Sequence, residues 1–420
     1  MLDLKFIREN AEEVKKAAEV KNESLDVDAL LALDKEILEV KNSEQELKTQ
    51  KNAISKQIPK ASNEERPKLI ADSKELGAKI DDLKPKLQEL ETKLQEMMFQ
   101  VPNIPSPEAP LGKSEEDNVE IKKWGELPKF DFDPKDHVEL LLQNNWAEFE
   151  RVAEVCGSRS YSLRNQMVLL EMAIHRFAMD KLIKKGFTLV SAPSLVREQA
   201  LVGTGHFPKG RDQVYHLQED DLYLSGTAEV QLNSLHAGQI LEKAKLPILY
   251  AGYSSCFRRE AGSYGRDVRG LIRVHQFLKV EQYIICENNF EESNKWHQTL
   301  LQTSEEIMQE LELPYRIVEC CTGDMGTGKY RMFDIEAWVP SEQKYRETHS
   351  ASNLGEWQAR RTNTRYRNDD GKAVHAHTLN NTAVATPRLL VPFIEIHQTK
   401  EGKVRIPEAL RPFLGPSEYL

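Results

Sequence analysis

No apolar run in this chain approaches the roughly 20 residues that a membrane-spanning helix requires. Its opening, MLDLKFIREN, is amphipathic and charged, without the apolar core of a secretory signal. Cysteine is scarce: five residues (Cys156, Cys256, Cys286, Cys320, Cys321), odd in number and never spaced as CxxC. That pattern argues against a disulfide framework and against a zinc site, and it suits a reducing cytoplasm. Neither GxGxxG nor GxxxxGK[ST] occurs, so the dinucleotide fingerprint and the P-loop are both absent, and any nucleotide must be held another way. Positive charge is in deficit: 57 Lys and Arg stand against 67 Asp and Glu, a formal net charge of −10. This argues against nonspecific coating of DNA, although a local basic patch can still bind phosphates.

What the chain has is length: 420 residues suffice for two domains and a large core, and 40% apolar with 30% charged residues is the composition expected of a soluble protein. Residues 1–22 read as one helix, with Leu4, Ile7, Ala11, Val14 and Ala18 on one face. Leu30, Leu33, Ile37, Val40, Leu47, Ile54 and Ile58 then follow a three-four spacing. After a break at 59–67 the spacing resumes through Leu69, Leu76, Ile80, Leu83, Leu87, Leu90, Leu94 and Met97. Two heptad helices joined by a short polar turn predict an antiparallel coiled-coil arm over 28–98, with Pro85 inside the second helix but off the seam. An arm of this kind serves dimerisation or spacing in many proteins. Here the chain doubles back, so the seam is satisfied internally and the outer faces stay free. Those faces carry Lys41, Lys48, Lys56, Lys60, Arg66 and Lys68, concentrated toward the tip, which suits the phosphate backbone of a structured RNA. Residues 101–118 are rich in proline and acidic residues and lack periodicity. The expected organisation is therefore a helical domain over 1–102, a linker over 103–118 and a second domain over 119–420.

The second domain mixes helical patterns at 164–184 and 290–311 with short β-branched runs at 187–190, 248–253, 280–286, 315–318 and 333–339. Without a regular strand-helix alternation, this predicts an α+β fold on an antiparallel sheet. The stretch from Cys256 to Tyr283, CFRREAGSYGRDVRGLIRVHQFLKVEQY, sets five arginines (Arg258, Arg259, Arg266, Arg269, Arg273) between apolar flanks. Two strands joined by a long Gly-rich loop are expected, the second returning through Leu271–Phe277. Arginine forks there can hold a phosphate or carboxylate through paired hydrogen bonds.

Three further stretches accompany this hairpin. They are Lys185-Gly186-Phe187 with Ser191-Ala192-Pro193; Gly226-Thr227-Ala228-Glu229-Val230; and LNNTAVATPR at 379–388, leading into an apolar helix at 389–396. Singly each is weak. Their joint order, with ECCTGDMG at 319–326 and RETHSASN at 346–353, resembles the class II aminoacyl-tRNA synthetases, and among them the seryl-tRNA synthetase family, over essentially the whole chain. The resemblance implies an antiparallel sheet flanked by helices, a homodimer formed around Pro193, and a cytoplasmic enzyme. It also implies a two-step reaction. Serine's carboxylate attacks the α-phosphate of ATP, giving seryl-adenylate and pyrophosphate; the seryl group then passes to the terminal ribose of tRNA(Ser), and of tRNA(Sec) where the host has one. The carboxylate is already ionised at neutral pH, so the demand is for charge neutralisation and in-line placement of two anions.

By the same resemblance, Arg258 bridges the serine carboxylate and the α-phosphate, and Arg388 holds the γ-phosphate. Glu260 accepts from the adenine amino group, Phe277 stacks on the ring, and Val274 meets the base through its backbone. Glu347 and Ser350 are oxygen ligands for Mg²⁺ bridging the phosphates. Arg259, Thr348 and His349 complete the ATP-binding set, with His275 and His349 read as hydrogen-bonding residues of the framework. Thr227, Ala228 and Glu229 hold the ammonium side of serine, while Glu281, Asn380 and Thr382 line its hydroxyl. A pocket built to pair that hydroxyl rejects alanine by ~10⁴ or more, threonine is refused on size, and no editing domain is expected. The chain departs from the family pattern at Asn381, Ala383 and Pro387, where glycine is usual; Asn tolerates a left-handed backbone and Pro suits a first helical turn. Two other readings are a paralogue that serylates a carrier protein, which typically lacks the arm, and a catalytically silent RNA-binding homologue. Retention of Arg258, Glu260, Glu281, Glu347 and Arg388 argues against the latter. Neither a membrane nor DNA is expected as a partner.

Overall fold

The computed structural model describes residues 1–262, 265, 267 and 269–420; Arg266, one of the five hairpin arginines, lies outside the described residues. The chain divides into two compact units, one of residues 2–19 and 23–102, the other of residues 1, 20–22 and 103–420.

In the first unit, the single helix expected over 1–22 is two, α1 (Leu4–Glu9) and α2 (Ala11–Val20). Asn10 separates them by leaving helical geometry (φ −132°, ψ 40°) and bonding its side-chain amide to the Phe6 carbonyl, the local competition with helix that Asn favours. Helix α3 (Val27–Gln57) begins at Asp26, whose carboxylate accepts from the Ala29 amide. Helix α4 (Arg66–Gln100) has Pro67 in its first turn, where a missing N–H breaks no bond, and runs on through Pro85. Ile37, Val40 and Leu90 are buried in the seam, with Leu33, Leu83, Leu87 and Leu94 packed against them. Ion pairs Lys41–Glu91 (2.7 Å) and Lys86–Glu36 (3.0 Å) cross between the helices in the open and contribute at most ~1 kcal/mol each. The apolar seam holds the hairpin.

The second unit is built on eight strands: β1 (Val119–Trp124), β2 (Thr188–Ser191), β3 (Ile248–Phe257), β4 (Gln276–Cys286), β5 (Tyr315–Glu319), β6 (Arg331–Val339), β7 (Lys344–Gly355) and β8 (His377–Thr386). They lie in the order β1–β5–β6–β7–β8–β4–β3–β2. Neighbours are antiparallel except at one edge, where β2 runs parallel to β3. The expected antiparallel sheet thus carries one parallel pair at its edge, where the long segment between β2 and β3 provides the crossover that such a pair needs. One face of the sheet packs against α5 (Gln166–Lys184) and α7 (Phe290–Glu310), burying Leu170, Ile174, Val280, Ile284, Leu300, Ile307, Leu379 and Ala383 in one core. The other face is partly covered near α6 (Glu229–Ser234), where Ala228, Leu232, Tyr283 and Ile285 form a second cluster. Side chains alternate along β4, so Phe277 and Lys279 share this second face and border a cleft. Residues 103–118 are not a free linker. Their backbone bonds to the loop before β6 and into it: Asn103 N to Thr327 O (2.9 Å), Ser106 N to Tyr330 O (2.7 Å), and Thr322 N to Pro110 O (2.9 Å).

Candidate active site

The arginine hairpin is shorter in strand than expected. β3 ends at Phe257 and β4 starts at Gln276, leaving Leu271–His275 in turn and bend. One step of pairing persists beyond the strands, Arg258 N to His275 O at 2.9 Å, with the His275 ring Nδ1 against Arg258 O at 2.9 Å. Glu260 then takes a left-handed backbone (φ 54°), a costly conformation for a side chain of this size. Its carboxylate meets the Arg273 guanidinium at 2.7 Å; Arg273 also faces Asp267 (3.5 Å), which binds Arg346 (2.9 Å). Arg273, one of the five hairpin arginines, holds a carboxylate of its own chain: it braces the loop and occupies Glu260. Arg269 is paired with Asp136. Arg259 is exposed, bonds through its amide to Gln213 O (2.9 Å), and does not line the cleft.

The cleft itself gathers Arg258, Glu260, Val274, Phe277, Lys279, Glu347, Thr348, Thr382 and Arg388, charged and apolar side chains converging as in a small-molecule site. Arg258 lies 5.2 Å from the centre of the Phe277 ring. Arg388 sits in the turn after β8, ahead of α9 (Leu390–Ile396) rather than at its first residue, so Pro387 is likewise outside the helix. Its Nη1 donates to the Glu347 carboxylate (3.2 Å) and carbonyl (3.3 Å). Asn381 and Ala383 are strand residues; Asn381 points at α7, donating to Leu300 O and Ser304 Oγ at 2.9 Å each, so no left-handed backbone is needed.

On β7, Thr348 is an extra residue: Ile335 pairs with His349 and Glu336 with Glu347, a bulge. Residues three apart normally point to opposite faces of a strand; the bulge puts Glu347 and Ser350 on the same one. Ser350 lies opposite Asp334, whose carboxyl also feels the charge of Glu347. Ser350 is not on the cleft wall. His349 is enclosed, its ring nitrogens engaged by Thr348 Oγ1 (2.8 Å) and Ala383 O (3.0 Å), and burial lowers its pKa to about 4. It does not reach the cleft.

Behind Phe277 lies a polar end. Lys279 is ion-paired with Glu281 and donates to Thr227 Oγ1 (3.2 Å), and both partners of the pair are buried. Desolvation holds the Glu281 carboxyl above its usual range despite the ammonium beside it. Glu229 accepts from Gln358 Nε2 (2.6 Å), and Asn380 keeps a buried Nδ2 without a partner. Ala228 approaches the sheet at Gly252, where a Cβ would stand 2.6 Å from Ala228 Cβ and 2.9 Å from Leu232. His206, left unassigned by the sequence, bonds Thr204 Oγ1 (2.8 Å); burial lowers its pKa, with the charge of Glu229 opposing. Lys279 could have been found from the sequence, since it shares a strand face with Phe277 and Glu281 at period two. On the arm, Lys41 and Lys48 are committed to Glu91 and Glu44. Among the described residues no acidic side chain pairs with Lys56, Lys60, Arg66 or Lys68.

A largely antiparallel sheet bearing an arginine hairpin over an open cleft is the architecture of a class II aminoacyl-tRNA synthetase core. The family model for the tRNA synthetase class II core domain (G, H, P, S and T) matches residues 213–397, and that for the seryl-tRNA synthetase N-terminal domain matches residues 1–105. The chain is 56% identical to the serine–tRNA ligase of Deinococcus radiodurans, covering 100% of this chain and 99% of that protein. It is 44% identical to the serine–tRNA ligase of Dictyoglomus turgidum, again covering 100% and 99%. The crystal structure of seryl-tRNA synthetase from Pyrococcus horikoshii complexed with ATP matches with a TM-score of 0.93 at 41% identity, covering 100% of this chain and 99% of that one. This chain belongs to the serine–tRNA ligase family.

Proposed function

We propose that this protein activates serine with ATP, forming seryl-adenylate and pyrophosphate, and transfers the seryl group to the terminal adenosine of tRNA(Ser). The observation that carries the reading is the meeting of Arg258, Glu260, Phe277, Glu347, Thr382 and Arg388 on one cleft, drawn from both sides of the hairpin, from β7 and from β8 with its following turn. Two anions that repel each other can be brought in line there because guanidinium groups flank the space from two directions. Phe277 offers an apolar face to the base, and Glu260 exchanges Arg273 for a base amino group. Arg388 exchanges Glu347 for a terminal phosphate. Behind the ring, Thr227, Glu229, Glu281, Asn380 and Thr382 present the polar groups that the ammonium and hydroxyl of serine require, and the unpartnered Asn380 Nδ2 is such a group.

The donor set suits Mg²⁺: Glu347 is half exposed to the cleft, its only ion-pair partner among the described residues is the displaceable Arg388, and Ser350 lies on the same strand face. Glu347 and Ser350 would hold the ion, which when bound neutralises phosphate charge. The chain works as a homodimer, a reading supported by the exposed apolar side chains of Leu189 and Leu195 on either side of Pro193. Residues 1–102 serve as the tRNA-binding domain and 119–420 as the catalytic domain, in a cytoplasmic enzyme that also accepts tRNA(Sec) where the host makes it.

Pyrophosphate exchange into ATP tests the first step and should require serine; equal exchange without serine refutes it. Removal of residues 28–98 should leave exchange intact and abolish tRNA charging. Serine-dependent exchange by the full-length protein without any tRNA charging would instead favour a carrier-protein substrate.

A further inference from the structure

One acid in the sheet has no part in this scheme. Asp334, on β6, is 7% exposed, and its Oδ1 is sealed from solvent with no hydrogen-bond partner. Leaving such an oxygen unmatched is costly, and in a native fold it points to a bound species. Two other donors converge on it. Cys320, fully buried, follows β5 and is held by its amide on Met332 O (3.0 Å). Asp324 stands in the next turn, where Asn118 Nδ2 donates to its Oδ2 (2.8 Å). The Cys320 sulfur and one oxygen from each aspartate all lie within 4.8 Å of one another. Asp324 is only partly buried, which leaves a route in from solvent.

We propose that Cys320, Asp324 and Asp334 form a binding site for a thiophilic divalent cation of the Zn²⁺ type, separate from the phosphate-bridging position at Glu347. One sulfur and two carboxylates make three protein ligands, and a water completes a tetrahedron. With metal–sulfur and metal–oxygen distances of about 2.3 and 2.1 Å, ligand atoms in such a site stand about 3.5 Å apart, so closing by about 1 Å forms it. The sulfur selects against Mg²⁺, which demands six oxygens. Each ligand binds a cation only in its deprotonated form, so binding here releases protons and weakens as pH falls. A buried water would satisfy Oδ1 equally well, but it would not make a thiolate. The sequence concealed the site because its ligands are one cysteine and two aspartates joined by strand pairing, not a CxxC pair. Asp334 stands opposite Ser350 in the β6–β7 pairing, so an ion here would stiffen both strands beneath the cleft.

The test is titration of the metal-free, full-length protein with Co²⁺ in the absence of ATP, followed by competition with Zn²⁺. One equivalent should produce a near-ultraviolet sulfur-to-cobalt band together with visible bands of tetrahedral cobalt, and Zn²⁺ should displace both. The band should be lost in Cys320→Ser, weakened in Asp324→Asn, whose partly exposed side chain can change without disturbing the buried pair, and unchanged in Cys156→Ser. Absence of a thiolate band, or a band that survives Cys320→Ser, overturns the proposal. Serine-dependent pyrophosphate exchange on the same samples reads the aminoacylation assignment independently.

Discussion

Lys279 and Glu281 sit two positions apart on one face of β4, both nearly enclosed, and each offsets the other's desolvation. Lys279→Met strands the carboxylate and removes a donor from Thr227, so it should cost about 3–5 kcal/mol of stability and raise the KM for serine. Adding Glu281→Gln should restore most of the melting temperature but not the preference for serine over alanine. A single variant that melts and turns over like the parent would remove the pair from the site. The Arg388–Glu347 contact is of another kind, half in solvent and worth little to the fold. Arg388→Ala should leave the melting curve unchanged and raise the KM for ATP about 10- to 100-fold, the worth of one charged hydrogen bond at 1.5–3 kcal/mol. That split between stability and binding is read by calorimetry beside exchange kinetics.

At the scale of elements, Gly252 sets how closely α6 lies on the sheet. Gly252→Ala puts a methyl 2.6 Å from Ala228, so the helix must back away, at a cost of about 1–3 kcal/mol. Because Thr227, Ala228 and Glu229 lead into that helix, serine binding should weaken more than ATP binding; equal losses would mean that α6 does not position the polar end. The arm divides its cations between two tasks. Lys41 and Lys48 are held by glutamates, whereas Lys56, Lys60, Arg66 and Lys68 cluster about the turn without acidic partners among the described residues. Neutralising the tip four should weaken tRNA binding and flatten its log–log salt slope by ~0.7–0.9 for each phosphate no longer neutralised, with exchange unaffected. Neutralising Lys41 and Lys48 should change the slope less.

For the whole molecule, buried histidines contribute to the response to acid, His297, His349, His377 and His397 among them. Burial lowers His297, His349, His377 and His397 to about 4 each, against ~6.5 in an unfolded chain. Above pH 6.5 neither state is protonated at these rings and they add no slope. Between 6.5 and 4 the unfolded chain binds protons that the folded chain refuses, so stability falls as pH falls, by up to about 1.4 kcal/mol per pH unit for each ring. Melting temperatures should therefore drop steeply through that window, and a flat profile would contradict neutral burial.

The heptads, the strand runs that became β2 to β6, and the order of the motifs were readable from residue order alone, because periods of 3.5 and 2 are local properties of a chain. β7 and β8 were not announced as strands. Their polar residues are met by α7, α8 (Trp357–Thr362) and neighbouring strands, as when Asn381 reaches Ser304 and Thr378 reaches Gln358. What only the tertiary structure decided was pairing at long range: the bulge that turns Glu347 and Ser350 to one side, the hold of Arg273 on Glu260, the enclosure of His349, and the convergence of Cys320 with Asp324 and Asp334. Composition and spacing choose the elements, but strand register and burial choose which side chains face one another, and no local pattern carries that information.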